Sequence, residues 1–247
     1  MLLCDLNCDM GEGLGNEEAI MPFISSANIA CGYHAGDDVT MEKTILLAKK
    51  YGVDIGAHPS FFDRENFGRT EMNLSLTEIY ELVQKQIKIL RSLAAKHDMI
   101  VTHVKPHGAL YNMSAKDSTI AKNIALAIKE YDTNLILFGL SGSHSIKEAQ
   151  SIGLKTRSEV FADRTYQDDG SLTPRTHPKA LIKNTAQAVA QVLQMIHKKT
   201  VTAISGKEIP VTAETICIHG DGEHAAQFAQ AINAALEINQ KSVIRNQ

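Results

Sequence analysis

His34, His58, His107 and His219 each stand at or just beyond the end of a short apolar run, with Gly or Pro close by: Ala30-Cys-Gly-Tyr-His-Ala-Gly36-Asp37, Gly56-Ala-His-Pro59, Lys105-Pro-His-Gly108 and His219-Gly-Asp-Gly222. Imidazole exchanges protons near neutral pH and ligates divalent metals, so such residues brought together would suit acid-base or metal-assisted chemistry. A lone His near a strand end is more often a packed, hydrogen-bonded residue, but four runs ending alike reverse that judgement. Turn chemistry accounts for the Gly and Pro and leaves their His and Asp companions unexplained. The last run continues beyond His219 to Asp221, Glu223 and His224.

The stretch Asp5-Leu-Asn-Cys-Asp9-Met-Gly-Glu12 alternates in polarity. As a strand it puts Asp5, Asn7 and Asp9 on one face and Leu6 and Cys8 on the other. A sheet with its polar face in water would explain this equally well, yet later strands end in the same residue types. Buried carboxylates are costly unless paired or metal-bound. Two chemistries stay open. Asp9, His34 and His58 could hold a divalent ion such as zinc or manganese, although no two ligands are closely spaced and the ion would depend on tertiary convergence. Without metal, Asp9 or His58 would polarise a water and Lys105 would stabilise a developing oxyanion.

Two Arg-bearing segments lack helical or strand period. In Glu159-Val-Phe-Ala-Asp163-Arg164-Thr-Tyr166 and onward to Arg175, the residues Asp163, Arg164, Tyr166 and Arg175 could clamp a carboxylate, as could Arg64 and Arg69 in the segment after the third strand. A solvated ion-pair network is the alternative. Nucleotide signals are weak: Gly139-Leu-Ser-Gly142-Ser143 could hold a phosphate on free N–H groups or be an ordinary strand-to-helix turn.

The framework that carries these residues shows in the hydrophobic pattern. Seven apolar runs read as strands: Leu2–Asp9, Ser26–Cys31, Asp54–Ala57, Ile100–Lys105, Asn134–Leu140, Lys155–Ala162 and Thr215–His219. Amphipathic segments lie between and after them, at Met41–Tyr51, Leu76–Lys96, Ser118–Glu130, Ser145–Ile152, Pro178–Lys198 and Glu223–Asn239. Ser75 or Thr77 can cap the long second segment, Gly52 and Gly153 can end helices, and Gly206–Thr212 reads as an extra hairpin or connection. The alternation predicts an α/β fold, either a closed or nearly closed barrel or an open doubly wound sheet, with ligands at the carboxyl ends of the strands.

A chain of 247 residues, 44% hydrophobic and 21% charged, is the size of one α/β barrel, and no linker or internal repeat divides it, so a single domain over residues 1–247 is expected. The net charge is −3 without a basic run, which disfavours nucleic acid and anionic membrane as partners and leaves a small-molecule substrate. The start Met1-Leu-Leu-Cys-Asp5 lacks a basic stretch followed by an apolar one, and no segment approaches about 18 uninterrupted apolar residues, so a cytoplasmic protein is expected. Cys4, Cys8, Cys31 and Cys217 lie in or beside apolar runs and read as reduced structural thiols rather than nucleophiles.

Taken together, Asp5 to Glu12, Asn28 to Asp37, Gly56-Ala-His-Pro59, Val104-Lys-Pro-His-Gly-Ala-Leu-Tyr-Asn112, Glu159 to Tyr166 and Cys217-Ile-His-Gly-Asp221 resemble the LamB/YcsF family, the A subunits of bacterial 5-oxoprolinase. The resemblance runs from the first strand to the last. It implies a distorted seven-stranded β/α barrel, similar to the glycoside hydrolase/deacetylase barrel. It also implies ATP-dependent opening of 5-oxoproline to L-glutamate together with two further subunits, B and C. ATP would bind in this chain, in the partners or at a shared interface. Asp9 and His58 would then act on water or the ring nitrogen, and Lys105 and His107 on the carbonyl or phosphoryl oxygens. Asn7, Glu12, His34, Arg64, Arg69, Arg164, Tyr166 and His219 would bind substrate. The competing readings are a stand-alone metal-dependent deacetylase or amidase and a non-catalytic lactam-binding subunit.

Overall fold

The computed structural model describes residues 4–220 and 225–245, with side chains as far as residue 238. Asp221, Glu223 and His224 lie outside the described residues, as does the start expected for the first strand. Six parallel strands come first: β1 (Asp5–Met10), β2 (Ser26–Ala30), β3 (Asp54–His58), β4 (Val101–Val104), β5 (Ile136–Leu140) and β6 (Lys155–Phe161). A small antiparallel hairpin, β7 (Thr200–Thr202) with β8 (Glu208–Pro210), precedes β9 (Thr215–Ile218). β9 pairs in parallel with both β6 and β1, which closes a seven-stranded barrel. That pairing decides between the barrel and the open sheet. The barrel is distorted at β3–β4, where the register shifts between Ile55 and Gly56.

Helices α1 (Glu17–Ile20), α2 (Asp38–Tyr51), α3 (Leu76–Ala95), α4 (Gly108–Lys116), α5 (Ser118–Tyr131), α6 (His144–Ser151), α7 (Thr185–His197) and α8 (Ala225–Arg245) complete the chain. α3 shows why such segments become helices. Ile79, Val83, Ile87, Leu90 and Ala94 recur at helical spacing and are buried, and Ser75 with Glu78 forms a capping box. Gly52 ends α2 in the left-handed conformation, at φ 67°. The outward residues of the strands pack against these helices, as Leu6, Cys8 and Met10 do on β1 and Ala27 and Ile29 on β2.

Most element boundaries move by one or two residues from the sequence expectation. The larger correction is at Pro178–Lys198, where the helix starts only at Thr185, behind an Asn184 side chain that accepts from Gln187 N. Residues 178–184 instead run beside the chain after β6, with Thr165 N donating to Ala180 O and Ile182 N to Asp163 O. α1 and α4 were not expected; both are short, and α4 begins at a Gly108 whose φ is +55°.

Candidate active site

Much of the inward face of the barrel is polar, with Phe138 and Phe161 set among the polar groups. At its lower end Asp5 accepts from Ser25 Oγ at 2.8 Å and Ser26 Oγ at 2.6 Å and pairs with Arg157 at 3.2 Å. One layer up, Asn7 Nδ2 donates to Glu159 Oε1 at 3.0 Å and Thr215 Oγ1 at 2.7 Å, while its Oδ1 accepts from Asn28 Nδ2 at 2.7 Å. Asn28 Oδ1 meets His103 Nε2 at 2.9 Å. The His103 ring lies flat on Phe138 and fills the space beside Gly56, where a Cβ would come within 2.1 Å of it. Such layering follows from strand period two, since positions 5, 7 and 9 of β1 face inward together.

The upper layer holds Asp9, Lys105, Glu159 and Cys217. Lys105, 2% exposed, places Nζ 2.8 Å from Asp9 Oδ1, 3.0 Å from Glu159 Oε1 and 3.0 Å from Cys217 Sγ. Burial opposes its charge, but the Asp9 and Glu159 carboxylates hold the ammonium well above its ordinary pKa. Burial likewise pushes Asp9 up, and His58 and Lys105 outweigh it, so the carboxyl is held well below the usual range. Tyr111 donates to Glu159 Oε2 at 2.7 Å. Burial raises the Cys217 thiol despite the nearby ammonium, and raises Cys4 and Cys31 to about 12, so these thiols stay protonated. Cys4, Cys8, Cys31 and Cys217 are all free and buried.

Beside this layer, His34, His58 and His107 converge with Glu12. His58 Nε2 is 2.8 Å from His107 Nδ1 and 3.4 Å from Asp9 Oδ2. His34 Nε2 is 3.2 Å from Glu12 Oε1, which is 3.7 Å from His107 Nδ1. The His34 and His107 rings stack at 3.8 Å. Burial pushes both His34 and His107 well below the ordinary imidazole value, so they are neutral. One potential ligand atom from each of Glu12, His34, His58 and His107 lies within 4.8 Å of the others, and a second such group is Asp9, Cys217 and His219. Of the metal set expected from sequence, His34 and His58 fall in the first group and Asp9 in the second.

An open cavity of about 970 Å³ leads to this layer. Asp9, His58, Lys105, His107, Phe161 and His219 line it, together with Arg69, Arg164 and Arg175. Asn7, Glu12, His34 and Tyr166 stand behind the lining. Arg64 is away from it, with Nη1 donating to Gly32 O and Gly36 O at 2.8 Å each. Tyr166 OH accepts from Phe161 N, and Asp163 binds His219 Nδ1 at 2.9 Å and His219 N at 3.0 Å. Arg164 Nη2 donates to Thr173 O, while its buried Nε has no hydrogen-bond partner. Burial and nearby Arg175 lower the Arg164 guanidinium to about 10. Ser143 Oγ and His144 Nδ1, at the start of α6, also line the cavity as buried atoms without a hydrogen bond.

The sequence model of the LamB/YcsF family matches residues 4–246. The chain belongs to the LamB/YcsF family. A LamB/YcsF relative from Brevibacillus brevis, named as the A subunit of 5-oxoprolinase, is 50% identical over 96% of this chain and 95% of its own length. A lactam utilization protein from Thermus thermophilus, solved by crystallography, superposes with a TM-score of 0.90 at 40% identity, covering 96% of this chain and 97% of the other. A deacetylase solved with its substrate shares the barrel fold at TM-score 0.51 and 13% identity, over 96% of this chain and 85% of that one.

In this LamB/YcsF chain, sequence reasoning passed over Asn28, His103, Tyr111 and Glu159 as parts of the site. Their signal was present in the period-two pattern: Ser26 and Asn28 on β2, Arg157 and Glu159 on β6, and Thr215 and Cys217 on β9 are inward pairs like Asn7 and Asp9. Tyr111 had no such signal, because it reaches Glu159 from α4, a helix that was not expected.

Proposed function

We propose that this chain is the lactam-opening component of an ATP-dependent 5-oxoprolinase, working in the cytosol as a single-domain barrel with two partner subunits. One observation carries the reading: a buried ammonium, two carboxylates and an imidazole lie at the foot of a cavity large enough for a small cyclic amide. Identity of 50% to relatives named as A subunits of 5-oxoprolinase supplies the substrate class.

Opening the ring requires a water oxygen to bond to the carbonyl carbon, the C–N bond to break and the nitrogen to take a proton. Lys105 Nζ, held in place by Asp9 and Glu159, stabilises the negative charge that develops on the carbonyl or phosphoryl oxygen. Asp9 and His58 receive the proton of the attacking water and return one to the leaving nitrogen. His107 positions His58, and Arg69 and Arg164 face the substrate carboxylate from the cavity wall. ATP, acting in the assembled complex, would phosphorylate the carbonyl oxygen and so activate the ring carbon; water addition and C–N cleavage would then leave an acyl phosphate, which a second water would hydrolyse to glutamate and phosphate.

Glutamate release from 5-oxoproline, measured for this chain alone and with both partners, each with and without ATP, tests the reading. Activity is expected only with ATP and partners together, and turnover by the chain alone would overturn the partner model. The convergence of Glu12 with three His supports a second reading, a metal-dependent amidase; ATP-independent hydrolysis of an N-acyl substrate would establish that one instead.

A further inference from the structure

Of the four imidazoles at the strand ends, three have both ring nitrogens taken up by the protein. His34 Nδ1 meets Ser60 Oγ at 2.9 Å and its Nε2 meets Glu12 Oε1 at 3.2 Å. His58 Nδ1 meets Lys105 O at 2.7 Å, its Nε2 meets His107 Nδ1 at 2.8 Å, and His107 Nε2 meets Phe67 O at 2.9 Å. His219 is the exception. Its Nδ1 lies 2.9 Å from Asp163 Oδ1 and 3.1 Å from Asp163 Oδ2, while Nε2 has no hydrogen-bond partner among the described residues.

Asp163 fixes which nitrogen is open. Burial raises its carboxyl, but His219 and the hydrogen bonds from it hold the carboxyl below its ordinary value, so Asp163 is ionised and can only accept. His219 Nδ1 therefore carries hydrogen, and the neutral ring keeps its lone pair on Nε2. The same carboxylate accepts the backbone N–H of His219 at 3.0 Å, which ties residue 219 at two points. Phe161 lies against the ring, with centroids 5.4 Å apart and planes 22° from parallel. His219 lines the cavity, and its side chain is 14% exposed. With Nδ1 turned to Asp163 and one face against Phe161, the edge left to the cavity is the one that bears Nε2. The placement comes from neighbouring strands: Asp163 follows β6 and His219 follows β9, and Ala162 N donates to Cys217 O at 3.0 Å where the two strands end.

We infer that Asp163 and His219 form an acid-base pair, and that His219 Nε2 delivers the proton to the lactam nitrogen as the ring opens. The inference rests on the ring-opening reaction proposed above and assigns its last proton transfer. Nε2 takes up the proton that Asp9 and His58 remove from the attacking water; a ring nitrogen of His219 lies within 4.8 Å of an Asp9 carboxylate oxygen, a gap that one hydrogen-bonded water spans. The C–N bond then breaks, its electron pair goes to the nitrogen, and Nε2 gives up its proton there. The imidazole is neutral again with hydrogen on Nδ1, so one proton has left the water and one has reached the nitrogen. While the ring is charged, the Asp163 carboxylate beside Nδ1 stabilises it, which makes His219 the catalytic residue and Asp163 the positioning one. No other strand-end imidazole offers an open nitrogen for this step.

Nitrogen NMR of the full chain, labelled at histidine, reads the pair without any turnover. The neutral His219 ring is expected to carry its hydrogen on Nδ1, and Asp163→Asn, whose amide can donate as well as accept, should lose that preference. Hydrogen on Nε2 of the neutral wild-type ring overturns the pair. Glutamate release by the complex of this chain with both partners and ATP reads the delivery step. His219→Gln should lower kcat about 10²-fold or more, the usual contribution of a positioned acid or base, with KM for 5-oxoproline changed less than about threefold. Asp163→Asn should lower kcat about tenfold or more at a similar KM. Folding of each variant is checked by circular dichroism. A raised KM at unchanged kcat in His219→Gln would make His219 a binding residue and overturn the delivery step. No glutamate from the wild-type complex would overturn the reaction reading and the delivery step with it, and the NMR spectrum would still decide the pair.

Discussion

Lys105 sets one ammonium between Asp9 and Glu159, so removing its charge leaves two buried carboxylates close together with no counter-ion. Breaking a buried pair by deleting one partner typically costs about 3–5 kcal/mol. Lys105→Met should therefore lose about that much stability in urea denaturation and also abolish glutamate release by the assembled complex; an unchanged urea midpoint would contradict the burial of the pair. Asp163 provides a separate check. Burial alone would raise its carboxyl, but His219 and the hydrogen bonds from it hold the carboxyl below its ordinary value of 3.8. A lowered folded-state pKa stabilises the protein fully above the unfolded value and loses that contribution as pH falls through the folded one. Stability should thus fall as pH drops below 3.8, and Asp163→Asn should flatten that acid limb in urea midpoints measured across the range. Parallel acid limbs for the two proteins would remove Asp163 from the account.

Among the elements, β3 has to cross the barrel without a side chain at position 56, because the His103 ring from β4 occupies that space. A Cβ within 2.1 Å of His103 Cδ2 forces the ring off Phe138 and away from Asn28. Overpacking of this kind costs roughly 1–3 kcal/mol. Gly56→Ala should lower the melting temperature accordingly, and adding His103→Ala should recover part of the loss; no recovery would place the strain elsewhere. At the outer edge, Ser75→Ala removes one half of the α3 capping box and should cost about 1 kcal/mol in chemical denaturation. Because α3 also carries the buried Gln86, which accepts from Ser60 N and donates to Ser60 O, fraying of α3 would reach the loop that holds His34.

For the whole molecule, closure through β9 ties the first strand to the sixth, so the barrel has no free edge at which to open. Amides of β1, β6 and β9 should exchange hydrogen with the same opening free energy, that of global unfolding. Earlier exchange in β9 would reveal an opening seam there. Much of this organisation was legible in the chain. The seven strands, the alternation at Asp5, Asn7 and Asp9, and the His-bearing strand ends follow from local periodicity, which a sequence states directly because side-chain direction on a strand depends on residue parity alone. Which groups meet depends on strands far apart in sequence. Nothing local says that Lys105 joins Glu159, that Asp163 turns to His219 or that Arg64 is spent on the carbonyls of Gly32 and Gly36. Local pattern was enough to set the elements and the residue types at their ends. Barrel over open sheet, the partners of every buried charge, and the gathering of His34, His58 and His107 around Glu12 came only with folding, because contacts between residues on distant strands and loops exist only once the barrel has closed.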